Sequence, residues 1–137
     1  MKLKIKNNKE YIFDLVRKKY VLNQPEEWVR QHTIEYLSTQ KGYPISLMSV
    51  EKKTIVNKLI KRCDIICYNQ IGQALLLVEC KAPKLKLNTT YLNQSINYQR
   101  TIQAKYILIT NGKTHFCFTL KKGKTTFIDK IPKYIND

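Results

Sequence analysis

The sequence predicts an α/β sandwich in which helices flank a central mixed β-sheet. Three observations support this class. Residues 25–39 combine an apolar stripe with helix-start chemistry, and residues 89–104 also show helical spacing. Residues 74–81, between them, are almost continuously apolar, which is typical of a central strand that is covered on both faces.

The first part of the chain is predicted to contain a basic segment followed by a helix. Residues 1–10 are polar and basic, so we expect them to be flexible, and residues 11–21 are mixed in character. Asn23 is expected to cap the first helix, because its side chain can accept a backbone N–H, and Pro25 suits the first turn. Trp28 is expected to anchor the core.

The remaining elements follow from apolar runs and turn residues. Strands are predicted at residues 45–50 and 62–68, whereas residues 52–61 are ambiguous. Residues 69–73 contain a glycine and read as a turn before the apolar strand. After the second helix, one further strand and a terminal hairpin are predicted, at residues 105–110 and at residues 115–120 with 125–129.

Length and composition indicate one domain spanning residues 1–137. The chain is 43% hydrophobic, which is too apolar for a disordered tail. Its longest apolar run, residues 74–78, is far too short to span a bilayer, and no signal-peptide pattern is present. We therefore expect a cytoplasmic protein that does not contact membranes.

The charge is strongly positive: 25 Lys and Arg residues oppose 10 acids, for a formal net charge of +15. Such a balance favours a nucleic-acid partner, because cations placed near phosphates release bound counterions. The excess of lysine over arginine is also what an AT-rich genome would produce, so the charge alone leaves both explanations open. The four cysteines form no CxxC pair and are expected to be buried free thiols.

The chemistry is concentrated in the hairpin formed by residues 62–68 and 74–81. A four-residue loop, residues 70–73, would place Asp64 directly opposite Glu79, and Lys81 would share the face of Glu79. A loop longer or shorter by one residue would separate the two carboxylates. A simple ion pair of Lys81 with either acid is the alternative explanation.

Two adjacent carboxylates repel each other unless a cation lies between them. Oxygen ligands favour Mg²⁺ or Mn²⁺, and the backbone carbonyl of Cys80 is a plausible third ligand beside Asp64 and Glu79. Such a metal could polarise a phosphoryl oxygen, and Lys81 could orient the attacking water.

Asp64 followed by Glu79-Cys80-Lys81 resembles the catalytic signature of the PD-(D/E)xK nuclease superfamily, with Cys63 at the position of the proline. Five segments occur in the order found in the N-terminal nuclease domain of type I restriction enzyme R subunits. These are residues 25–31, 61–64, 78–83, Gln94 with Tyr98, and residues 110–112. The similarity covers about residues 11–120.

The resemblance implies further roles. It assigns Gln94 and Tyr98 to the Q-x-x-x-Y motif that supports the catalytic centre, and it makes Glu27 a candidate metal ligand, with Glu51 as another. Residues four apart on a helix share a face, so Gln94 is expected to point towards the hairpin. Contacts with DNA are expected from Arg30, Gln31, Lys84 and Arg100, although the first two could instead serve packing.

The resemblance implies a restriction-endonuclease-like three-layer fold and a Mg²⁺-dependent DNA endonuclease that hydrolyses phosphodiesters. Neither a Walker motif nor room for an ATP-driven motor is present, so we expect either a stand-alone nuclease or one that gains specificity from dimerisation or from a partner protein. Two alternatives remain at this point: a nuclease-like module that binds nucleic acid without cutting it, and a basic structural protein with a fortuitous triad.

Overall fold

The computed structural model describes residues 1–56 and 58–135, apart from the side chains at positions 54, 56, 59–61 and 97–101. Within that part of the chain it has two α-helices, a three-stranded sheet and a six-stranded mixed sheet. This architecture confirms the mixed α/β class. Neither helix is long and apolar enough to span a membrane.

The amino terminus forms a small antiparallel sheet. Its strands are β1 (Leu3–Lys6), β2 (Lys9–Asp14) and β3 (Lys19–Leu22), in that order across the sheet. Asn7 and Asn8 have φ angles of 52° and 63°, the positive values that a two-residue type I′ hairpin turn requires. Most of residues 1–10, which were expected to be flexible, therefore lies in a hairpin, and the fully buried Ile12 attaches that hairpin to the core.

Helix α1 (Pro25–Gln40) begins at the proline, as predicted, but its N-cap is Gln24 and no side chain caps it. Asn23, the expected cap, instead donates its Nδ2–H to Glu10 Oε1 at 2.7 Å. The helix ends where Gly42 adopts a φ of 76°, a conformation that glycine accommodates without steric strain.

Trp28 is not a core anchor. Its residue is 40% exposed, and its ring stacks on the ring of His32 with the centroids 3.9 Å apart. The core-facing side of α1 is filled by Val29, Ile34 and Leu37, all fully buried. The aromatic ring lies on the other side because the apolar stripe already fills the space against the sheet.

The main sheet contains the strands β4 (Met48–Val56), β5 (Leu59–Tyr68), β6 (Ala74–Cys80), β7 (Tyr106–Thr110), β8 (His115–Lys121) and β9 (Lys124–Ile128), which are neighbours in that order. Only β6 and β7 pair in parallel, and α2 (Thr89–Ile102) connects them. The ambiguous residues 52–61 belong largely to β4 and β5, and the predicted strand at residue 45 begins three residues later, after a 3₁₀ turn at Ile45–Leu47.

Both faces of the main sheet are covered. Leu76 and Val78 of β6 pack in the cluster that contains the apolar face of α1, whereas Leu77 packs in the cluster that contains side chains of α2. This confirms the prediction of a central strand that is buried on both sides. All four cysteines are buried and free, also as predicted.

Candidate active site

The β5–β6 hairpin places the two predicted carboxylates opposite each other by a route that differs from the expected one. The turn has five residues, because Tyr68 rather than Asn69 pairs with Ala74. Leu75 is then an extra residue in β6, and this bulge restores the register so that Cys67 pairs with Leu76. Ile65 pairs with Val78, and the next residues in that register are Asp64 and Glu79.

Asp64 is held by two elements besides its own strand. Its Oδ2 accepts the backbone N–H of Cys80 at 2.8 Å, and its Oδ1 lies 3.3 Å from Nη2 of Arg30 on α1. Burial raises the pKa of the Asp64 carboxyl, although the Cys80 N–H and the Arg30 charge both oppose that shift. The carboxylate is therefore fixed in place but strongly desolvated.

Glu79 is the more unusual carboxylate of the pair. The residue is 4% exposed, and its Oε1 is buried without a hydrogen-bond partner among the described residues. Burial raises the pKa of Glu79, and the negative charge of Asp64 raises it further. A desolvated carboxyl oxygen without a partner is costly, so this atom is well suited to bind a cation.

Lys81 follows β6 directly and completes the predicted triad. Its Nζ lies 4.0 Å from Oε2 of Glu79, 3.5 Å from Oε1 of Gln94 and 4.6 Å from the ring centroid of Tyr91. Its backbone N–H donates to the carbonyl of Thr110 at 2.9 Å, which fixes the chain at the end of the parallel β6–β7 pair. The ammonium group therefore lies between Glu79 and helix α2.

Helix α2 brings Gln94 to the site, as its spacing predicted, but the residue is exposed rather than buried. The side chain of Tyr98, the other residue of the Q-x-x-x-Y pair, lies outside the described part of the chain, as does that of Arg100. Tyr91 of the same helix packs its ring against the Lys81 ammonium.

A cluster of ion pairs lies beside the triad and is centred on Arg30. Nη1 of Arg30 is 3.0 Å from Glu51 and 3.4 Å from Glu27, while Nη2 contacts Asp64. Arg17 reaches the same two glutamates, each at 3.5 Å, and also pairs with the fully buried Asp14. Three carboxylates thus share one guanidinium that is almost completely shielded from solvent.

Glu51 reaches this cluster through an unusual backbone conformation. Its φ angle is 51°, in the left-handed region that costs free energy for any residue other than glycine. The neighbouring pairs on either side, Val50 with Ile65 and Lys52 with Cys63, keep a regular register. The local distortion coincides with the contact of Glu51 and Arg30, which compensates for it.

Of the four residues expected to touch DNA, the three whose side chains are described are placed very differently from one another. Arg30 and Gln31 are buried, and Gln31 bonds to the backbone of Leu15 and to Glu27. The amide of Gln31 and the terminal nitrogens of Arg30 contact groups inside the protein, which agrees with the packing role that the sequence left open. Lys84 is exposed and free to approach a ligand.

The site is acidic inside a basic protein. Among the described residues, Arg17, Arg30 and Lys81 form ion pairs with five carboxyl groups in this region, although the whole chain carries +15. Among the described residues, no three His, Cys, Asp or Glu side chains converge as a metal centre. A metal would therefore be held by Asp64, Glu79 and the Cys80 carbonyl, and Mg²⁺ often binds to one or two carboxylates with water completing its shell.

Sequence reasoning missed the part played by Arg17 and Asp14, and it left Arg30 open between a contact with DNA and a role in packing. No motif marks these residues, because they meet only when β2, α1, β4 and β5 come together. The usable signal was weaker: nearly half of the ten acids occur within apolar segments, where a charge needs a partner.

An α/β domain whose sheet carries an Asp beside a buried Glu, with a lysine close to both, has the features of a nuclease-related module. The family described as Type I restriction enzyme R protein N terminus (HSDR_N) matches residues 25–132, about four fifths of the chain. The protein therefore belongs to that family, as its ordered segments indicated. A search of curated proteins found no significant match.

Proposed function

We propose that this protein is a metal-dependent nuclease domain with a restriction-endonuclease-like fold, and that it hydrolyses DNA phosphodiesters. The observation that carries the proposal is the buried Oε1 of Glu79, which has no partner among the described residues and belongs to a carboxylate next to Asp64. An ion pair with Lys81 alone does not account for this atom, since Lys81 faces the other oxygen at 4.0 Å.

Asp64, Glu79 and the backbone carbonyl of Cys80 are the groups that would hold Mg²⁺ or Mn²⁺. Their oxygen donors suit a hard divalent cation, and the cation would offset the repulsion that raises the pKa of Glu79. When bound, such a metal polarises a phosphoryl oxygen and lowers the pKa of a coordinated water.

Lys81 is proposed to orient the attacking water and to stabilise charge that develops on the phosphate. Its ammonium is confined by Glu79, Gln94 and the Tyr91 ring, so it is preorganised for this role. Gln94 would act as a positioning residue through its contact with Lys81.

Glu27 is proposed to support the site rather than to bind the metal. Its carboxylate oxygens already contact Arg17, Arg30 and Gln31. Through Arg30 it acts on the same guanidinium that holds Asp64, so its influence on the metal is indirect. Glu51 would have the same role.

The direct test is incubation of supercoiled plasmid DNA with the protein in Mg²⁺, Mn²⁺ or EDTA. Asp64→Asn, Glu79→Gln and Lys81→Met are expected to slow cleavage at least 100-fold, because each removes a charge from the reacting centre. Glu35→Gln removes an exposed carboxylate of α1 and serves as the matched control.

Cleavage that persists in EDTA or in both carboxylate variants would contradict the proposal. Salt-sensitive DNA binding without cleavage by the unaltered protein would favour the alternative of a nuclease-like binding module. Titration calorimetry with Mn²⁺ separates metal binding from turnover, since Glu79→Gln should abolish the binding heat while Glu35→Gln should preserve it.

A further inference from the structure

The amino-terminal sheet has one face that the proposed active site does not use. Lys4 pairs with Tyr11, which pairs with Leu22, and Phe13 pairs with Tyr20, so these side chains point to the same side. We call this side the lysine face; its polar and aromatic members are Lys2, Lys4, Lys6, Lys9, Tyr11, Phe13 and Tyr20.

The opposite side of the sheet is the one that attaches to the protein. Ile12 and Asp14 alternate with the aromatic residues of β2, and both are fully buried. Asp14 forms an ion pair with Arg17, and Arg17 also contacts Glu27 and Glu51. The lysine face therefore points outward from a sheet that is tied to the acidic cluster of the site.

Aromatic rings hold two of the lysines in place. The Nζ of Lys2 lies 5.2 Å from the centroid of Phe13, and the Nζ of Lys4 lies 5.1 Å from the centroid of Tyr20. These two rings pack edge to face at 5.2 Å. Cation–π contacts of this kind restrict a flexible ammonium group while leaving its charge accessible.

The charges on this face repel one another without relief. Lys6 lies directly opposite Lys9 in the ladder, an arrangement that destabilises a strand pair. Glu10 points to the other side, where it accepts a hydrogen bond from Asn23, and no salt bridge to the four lysines occurs among the described residues. Lys121 lies opposite Lys124 in the same way in the β8–β9 hairpin, so the cation–π contacts rather than the repulsion distinguish the lysine face among the described residues.

The face also contains a groove of suitable chemistry. A depression of about 280 Å³ is lined by Lys4, Lys6, Asn7, Tyr11 and Tyr20, which together offer two ammonium groups, an amide and two hydroxyl groups. The lining contains no carboxylate, and its donors are those that bind phosphate oxygens.

We propose that the lysine face binds the phosphate backbone of DNA. Its lysines are then the ones that contact the substrate of the proposed nuclease. The inference rests on the proposed function for its ligand. Charge complementarity selects a polyanion, and the +15 of the chain disfavours a second copy of the protein as the occupant. The regular spacing of Lys2, Lys4 and Lys6 along one strand suits a repeating backbone charge.

The test measures binding of fluorescent duplex DNA by anisotropy in EDTA, where cleavage cannot contribute, over a series of salt concentrations. The variant is Lys4→Ala/Lys6→Ala/Lys9→Ala. Its matched control is Lys121→Ala/Lys122→Ala/Lys124→Ala, which removes the same charge from the exposed β8–β9 turn.

The first triple is expected to weaken binding on the order of tenfold or more and to reduce the salt slope by about 2.7, which corresponds to three lost phosphate contacts. The control is expected to change the slope by less than about 1. Equal effects of the two triples on DNA binding would overturn the inference, as would an unaltered protein that does not bind DNA. Circular-dichroism melting verifies that both variants fold.

Two further outcomes separate this inference from the proposed function. Polyglutamate that binds this face as tightly as DNA would indicate an acidic protein as the partner and would overturn the inference while leaving Mn²⁺ binding at Asp64 and Glu79 unaffected. The converse result is a protein that binds DNA through these lysines but neither binds Mn²⁺ nor cleaves DNA. That result would support DNA binding by the lysine face and contradict the proposed nuclease activity.

Discussion

Arg30 and Asp64 join helix α1 to strand β5 through a contact of 3.3 Å between Nη2 and Oδ1. The guanidinium is only 7% exposed and also serves Glu27 and Glu51. One internal cation thus balances part of the charge that a metal would otherwise have to balance alone. Asp64 is the carboxylate common to both the ion-pair cluster and the proposed metal site.

Replacing Arg30 by methionine is expected to destabilise the protein by about 3–5 kcal/mol, because it leaves buried carboxylates without their partner. Urea unfolding in EDTA measures the change. The double variant Arg30→Met/Asp64→Asn should lose less stability than the sum of the two single variants, since the second change removes one orphaned charge. A loss below about 1 kcal/mol would show that the cluster is hydrated and not structural.

The stability of the metal-free protein is expected to fall as pH rises. Burial, reinforced by Asp64, raises the pKa of Glu79 from 4.5 to about 8. The stabilising contribution of the protonated form is fully present below pH 4.5 and is lost as pH rises through about 8. Melting temperatures measured at pH values between 4.5 and about 8 check this expectation. Glu79→Gln should flatten the pH dependence, whereas Glu35→Gln should leave it unchanged.

Gln94→Ala is expected to reduce the turnover of DNA between about tenfold and 100-fold, because Lys81 loses a group that positions it. The Michaelis constant and the melting temperature should change little, since Gln94 is exposed. Asn93→Ala on the adjacent exposed position is the control. Equal rates for the two variants would remove Gln94 from the site.

The cysteines are expected to resist thiol reagents in the folded protein. All four are buried, and burial raises the pKa of Cys67 and Cys63 to about 12, so little thiolate forms at neutral pH. Titration with a chromogenic disulfide should find none reactive in native buffer and four in denaturant. Rapid reaction of any one thiol would mean that the packing around it opens readily.

The central elements were predictable because their patterns were strong. The apolar run of β6 and the helix-start residues of α1 each have one plausible structural interpretation, and both elements occur where expected. The amino-terminal sheet was missed because short strands that alternate lysine with an exposed Leu or Ile resemble a flexible basic tail.

The site was predictable only where its residues lie in one hairpin. The spacing of Asp64, Glu79 and Lys81 suggested that these residues lie together, but in the structure they are aligned by a five-residue turn and a bulge at Leu75 that the sequence did not predict. The cluster around Arg30 draws on β2, α1, β4 and β5, and no local pattern reports how four elements converge. The burial of Arg30 and Gln31, for which the sequence left DNA contact and packing open, has the same origin.

The bulge at Leu75 gives strand β6 one residue more than its pairing with β5 requires. The pairing that aligns Asp64 with Glu79 begins at Cys67 and Leu76, below both the five-residue turn and the extra residue. A turn shortened by one residue therefore needs only a straightened β6, and the two carboxylates stay aligned. A one-residue deletion at the tip of this hairpin is therefore absorbed before it reaches the two carboxylates, so their alignment tolerates that change in turn length.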